Sequence, residues 1–115
     1  MEIRPIVRRL CVYCTSAISQ DVAIDAWPSE RNVLWQHIVV GDQQNVCTRL
    51  EILLKRGSRE YLLHRAVAPN VLTSVEVSGL FVVPGDFRVV GGFVGAVVGD
   101  TLELYAYGIV VPETL

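Results

Sequence analysis

The sequence predicts an all-β fold: a single antiparallel β-sandwich, jelly-roll-like, of about eight strands. Three observations carry that expectation. Polar and apolar side chains alternate along several segments, as half-buried strands require, because successive side chains point to opposite faces. Turn signals built on Gly, Asp and Pro recur at intervals of about 8–12 residues, the rhythm of sandwiches and barrels. Valine is the commonest residue and lysine appears once, a composition that suits pleated surfaces better than helices.

Each element follows from its own residues. Segment 4–13 reads as the first strand, with Pro5 and Arg8-Arg9 marking residues 1–10 as an edge strand or N-terminal arm. Segments 21–27 and 33–40 come next, closed by the Gly41-Asp42 turn. From Val46 to Leu54 the residues Val46, Thr48, Leu50, Ile52 and Leu54 share one face. Cys47, Arg49, Glu51, Leu53 and Lys55 share the other. Arg56-Gly57-Ser58-Arg59 reads as a hairpin tip into segment 60–68. Val71, Thr73, Val75 and Val77 alternate with Leu72, Ser74, Glu76 and Ser78 over 71–78, and 79–83 follows. Segments 86–90 and 93–98 flank Gly91-Gly92, where a bulge, a bend or a close backbone approach is expected. Segment 101–111 sets Leu102, Leu104 and Ala106 against Thr101, Glu103, Tyr105 and Tyr107. Some neighbouring segments must merge to leave about eight strands. A turn around Ser16 to Asp21 is the one stretch with any helical character.

Size and charge exclude several classes of function. At 115 residues, 51% hydrophobic and 19% charged, the chain reads as one folded domain over 1–115 with no linker. A net charge of −2 offers no global attraction to nucleic acid or anionic membrane. Arg4, Arg8 and Arg9 lack the interleaved aromatics of a nucleic-acid groove. The apolar runs are too short and interrupted to span a bilayer as a helix. Cys11, Cys14 and Cys47 cannot all pair within the chain, which points to reduced thiols and a cytosolic-type compartment. Arg8-Arg9 before Leu10–Cys14 only superficially imitates an export signal, since Thr15 and Ser16 interrupt the apolar stretch.

No constellation assembles a catalytic, metal or cofactor site. Cys11-x-x-Cys14 lies on a strand, where residues three apart face opposite ways, so the pair reads as small buried hydrophobes. His37 and His64 have no nucleophile-elbow pattern and no His-x-His spacing beside them. Gly91-Gly92-Phe93-Val94-Gly95 lacks the helix, Lys and Ser or Thr of a phosphate cradle. Two other features point to partners instead. Residues 1–65 hold nine of the ten basic residues against seven acids, and residues 66–115 hold Arg88 against five. Such polarity suits orientation on another surface. The runs Leu80–Val83 and Val94–Val98 are apolar on both faces, more than a lone sandwich hides. The expected contact residues are Ile3, Arg4, Ile6, Arg8 and Arg9 of the N-terminal arm, with Phe81, Phe93, Tyr105 and Tyr107.

The C-terminal half carries a resemblance. Tyr61-Leu62-Leu63, Val75-Glu76-Val77-Ser78-Gly79, Val83-Pro84-Gly85-Asp86, Gly99-Asp100-Thr101-Leu102-Glu103-Leu104 and Tyr107-Gly108 follow one another. This pattern resembles the small β-sandwich and jelly-roll structural proteins of tailed-bacteriophage virions, including head decoration (cement) and head–tail or tail accessory proteins. The resemblance covers roughly half the chain. It implies no catalysis and no cofactor, a symmetric homo-oligomer (often a trimer), and a partner surface of major capsid or connector protein in a virion made in the host cytoplasm. A different class remains open on the same fold, a carbohydrate-binding or adhesion module using Trp27, Trp35, Tyr105 and Tyr107 as an aromatic platform.

Overall fold

In the computed structural model the alternating segments become eight strands. The structure describes residues 4–16, 18–24, 31–67, 74–83 and 86–112. In chain order the strands are β1 (Arg4–Tyr13), β2 (Ser19–Ala23), β3 (Arg31–Asp42), β4 (Arg49–Arg56), β5 (Arg59–Val67), β6 (Ser74–Val83), β7 (Arg88–Val94) and β8 (Thr101–Pro112). No helix occurs among the described residues, and so none is long and apolar enough to cross a membrane.

The pairing is nested. β4 and β5 form the innermost hairpin, turning through Gly57 at φ 57° and Ser58, a two-residue turn with glycine first. Around it β3 pairs with β6, β2 with β7, and β1 with β8, all antiparallel. The ribbon then rolls up, so that β8 also pairs with β3 and β7 with β4. Two four-stranded sheets result, ordered β1-β8-β3-β6 and β2-β7-β4-β5. That is a jelly roll, and the predicted sandwich stands.

The core lies between the sheets. Ile38, Val40, Leu102, Leu104 and Val110 from one sheet meet Leu50, Ile52 and Phe93 from the other, each fully buried. β3 reaches the core on both sides of an irregularity. A bulge at Gln36 shifts the register against β8, and the pairing with β6 is irregular at the same place, so Val33 and Trp35 point inward and then Ile38, Val40 and Asp42 do. Gly108 faces this bulge, where a Cβ would run into the Leu34 carbonyl oxygen.

Several expectations change. Segments 71–78 and 79–83 fuse into β6, whose described part begins at Ser74, and 86–90 and 93–98 contribute the single strand β7. Gly91-Gly92 is therefore a close approach rather than a bend: a Cβ on Gly91 would overlap Val40 Cγ1 of the facing sheet. Val46 to Thr48 is loop, with Val46 exposed and Cys47 buried, the reverse of the alternation read there. Cys11 is exposed, because the β1 register places it beside Glu103 on an outer face, whereas Cys14 is buried. The two halves of the chain, which differ in charge, do not segregate in space, because each sheet draws strands from both.

Candidate functional site

The two outer faces differ in chemistry. On the β1-β8-β3-β6 sheet, cross-strand partners share a face, and three rows cross β1, β8 and β3. Pro5 aligns with Ile109 and Leu34, Val7 with Tyr107 and His37, and Arg9 with Tyr105 and Val39. Most of these side chains are apolar and half-buried or exposed, with Val7 49% and Tyr107 39% exposed. A fourth row, Cys11, Glu103 and Gly41, is polar. Glu103 accepts from Arg9 at 3.0 Å and from Gln43 Nε2 at 2.7 Å. The hydrogen bond from Arg9 is the main reason that the Glu103 carboxyl sits below the ordinary carboxylate range.

This face receives part of the predicted contact set. Arg9, Tyr105 and Tyr107 converge on it, and Arg8 is exposed on the same edge strand, its Nη1 donating to the Val7 carbonyl at 3.1 Å. Ile6 and Phe93 do not belong to a surface. Both point into the sandwich, 5% and 1% exposed, because alternation places them on the inner faces of β1 and β7. Arg4 lies at the start of β1 and Phe81 lies within β6, opposite Trp35; Ile3 is outside the described residues. Residues 4–10 form an edge strand bonded along its length to β8, rather than a free arm.

The outer face of the β2-β7-β4-β5 sheet is ionic. Glu51, nearly buried, accepts from Arg65 Nε and Nη2 at 3.0 and 2.8 Å. Arg49 Nε stands 2.9 Å from the other Glu51 oxygen, without hydrogen-bond geometry. Lys55 bridges Asp21 at 2.8 Å and Glu60 at 3.1 Å, and these bonds, Asp21 first, raise its pKa. The pairs border a groove of about 390 Å³ floored by Gly92. No exposed aromatic ring lines it. Trp35 is 3% exposed, so the aromatic platform loses that member to the core; Trp27 is outside the described residues.

At one end of the sandwich the described residues of the loops that follow β1, β3 and β7 are knitted together. Cys14 N donates to Asp100 O at 2.7 Å, Gly99 N to Cys14 O at 2.9 Å, and Thr48 N to Val94 O at 2.9 Å. Beneath them lie Asp42 and Asp100, 1% and 5% exposed. Asp42 Oδ1 accepts from the N–H groups of Gln44 and Asn45, each at 3.0 Å. Asp100 accepts from Asn45 Nδ2 at 2.7 Å and from Val97 N at 3.1 Å. Burial first, then the neighbouring Asp100 carboxyl, raises the Asp42 pKa, while the contact with Asp42 lowers that of Asp100. Cys47 Sγ lies 3.7 Å from Asp42 Oδ2, and burial first, then this acid, pushes its pKa up to about 12. Such a thiol stays protonated and unreactive at neutral pH.

One catalytic-looking set appears that sequence spacing could not reveal. Register places Ser78 opposite His37, with Ser78 Oγ 2.9 Å from Nδ1 and Glu76 Oε2 3.4 Å from Nε2. The contacts resemble a Ser-His-Glu relay, yet they sit on an open sheet face with the Glu76 side chain 65% exposed. A hydrated carboxylate stabilises an imidazolium weakly. Among the described residues no group of three or more His, Cys, Asp or Glu is placed to hold a metal.

No family model matches the chain, and no curated protein matches it. Among solved structures, it is similar to a chain in the structure of infectious bursal disease virus Gx strain, at 12% identity and a TM-score of 0.39, covering 100% of this chain and 36% of that one. A chain in the structure of the Gt strain of the same virus aligns at 11% identity and a TM-score of 0.35, covering 94% and 31%. The chain spans about a third of the length of each.

Proposed function

We propose that this protein is a non-enzymatic structural component of a virus particle, of the tailed-phage decoration type, which docks on the shell through the outer face of its β1-β8-β3-β6 sheet. One observation carries the reading: that face presents Val7, Leu34, Val39, Tyr105, Tyr107 and Ile109 where a solvated sheet would present polar side chains. Covering it on a partner such as major capsid or connector protein stabilises the joint by about 25 cal/mol per Å² of apolar area. Arg9, Glu103 and Glu76 at its margins supply orientation more than strength. The pattern over Glu60 to Val111 supports the same reading by resemblance.

The experiment is particle incorporation. Virions purified from a culture carrying the gene should contain the protein in stoichiometric amount, and Tyr105→Asp with Tyr107→Asp should leave it in the soluble fraction. A wild-type protein absent from particles and retained instead on a polysaccharide column overturns the proposal and favours the adhesion module.

A further inference from the structure

We propose that the tip formed by Tyr13 at the end of β1 and the described residues of the loops that follow β1, β3 and β7 is a self-association surface, against which a second copy of this chain packs across a two-fold axis. It is a different surface from the docking face above, and it does not depend on the virion reading.

The tip exposes large apolar side chains among uncharged polar ones, Thr15, Gln43, Gln44, Asn45 and Thr48. Ile18 is 83% exposed, Tyr13 73%, Val98 60%, Val46 58% and Val97 52%. Several of its polar groups are already bonded within the molecule. Thr15 N and Ser16 N donate to Gln20 Oε1, Gln44 Oε1 accepts from Thr101 N, and Gln43 and Asn45 spend their side-chain amides on Glu103 and Asp100. Apart from the buried Asp100, the loops hold no Lys, Arg, His, Asp or Glu. The carboxyls directly beneath, Asp42 and Asp100, are buried and bonded.

Charge selects the occupant. A two-fold contact sets each residue near its own copy, so any charge close to the axis meets its like. The opposite end of the sandwich carries Arg56, Arg59 and Arg88, which would repel themselves, and the β2-β7-β4-β5 face holds Arg49, Arg65 and Lys55 around fixed acids. The tip can face itself without desolvating or opposing a charge. Its five exposed side chains present on the order of 500 Å² per copy, so a pair would bury on the order of 1,000 Å², the lower end for a specific contact.

Sedimentation equilibrium on the full chain, from micromolar to near-millimolar concentration, tests this. The wild type should rise toward twice the 12.7 kDa chain mass and keep doing so in high salt, where exposed ion pairs are screened. Ile18→Asp with Val98→Asp should remain at one chain mass while retaining its circular dichroism spectrum. Val98→Thr, which keeps the side-chain shape, should weaken pairing several-fold, and Tyr107→Asp should pair as the wild type does. A wild type that stays monomeric, a dimer that survives Ile18→Asp with Val98→Asp, a dimer lost in Tyr107→Asp alone, or a mass that climbs beyond two copies overturns the proposal.

Discussion

Asp42 ends β3 with its carboxyl sealed from water, and it organises the next loop by accepting the Gln44 and Asn45 N–H groups. Its contact with Asp100 makes stability depend on pH in a definite sense. A carboxyl whose pKa is raised on folding stabilises the fold below the ordinary carboxylate range and loses that contribution as pH rises through the raised value. Asp100, lowered by the same contact, contributes above the ordinary range and loses it as pH falls through its depressed value. The pair is therefore most stabilising between those two limits. Asp42→Asn keeps an acceptor for the loop and an N–H for Asp100 but cannot ionise. Its melting temperature relative to wild type should increase as pH goes from the carboxylate range toward neutrality; a constant difference would refute the raised Asp42 pKa. The turn role of Asp42 was legible in Gly41-Asp42, because an Asx turn is local. The meeting with Asp100 was not, because nothing in either turn encodes the other.

At the scale of elements, β7 depends on what its glycines leave out. Gly91 faces inward, and an added Cβ would overlap Val40 Cγ1 from β3 across the core. Gly92 faces outward, where a Cβ would meet Asp21, Glu51 and Leu53 at ordinary contact distances of 3.5–3.6 Å. Gly91→Ala should therefore destabilise by about 1–3 kcal/mol through overpacking. Gly92→Ala should be neutral or stabilise by up to about 1 kcal/mol, by restricting the unfolded chain. Urea midpoints for the two variants check this, and equal shifts would contradict the assignment of faces. The glycine pair was visible in the sequence as a peculiarity of an apolar segment. Which of the two was indispensable depended on the facing sheet. The bulge at Gln36 was hidden for a related reason, since one extra residue changes the phase of alternation within β3 and blurs the period that identifies a strand.

For the whole molecule, nesting sets both kinetics and surface. β1 and β8 come from opposite ends of the chain and pair along ten residues each, from Arg4 with Val110 to Tyr13 with Thr101. Contacts of that separation are slow to form because the loop must close before they stabilise anything. Refolding followed by stopped-flow fluorescence of buried Trp35 should fall in the millisecond-to-second range typical of all-β domains, roughly 1 ms or slower. Microsecond folding would contradict this topology.

Local chemistry in the sequence determined most of the strands and several of the turns: alternation marked β4, β6 and β8, and Gly57-Ser58 marked the innermost hairpin. Only the tertiary structure decided that Ile6 and Phe93 are core and Tyr107 is surface, that Ser78 meets His37, and that one outer face is apolar while the other is ionic. The physical reason is that a period of two states which side chains share a face, whereas burial and contact depend on which strand lies alongside and which sheet lies opposite.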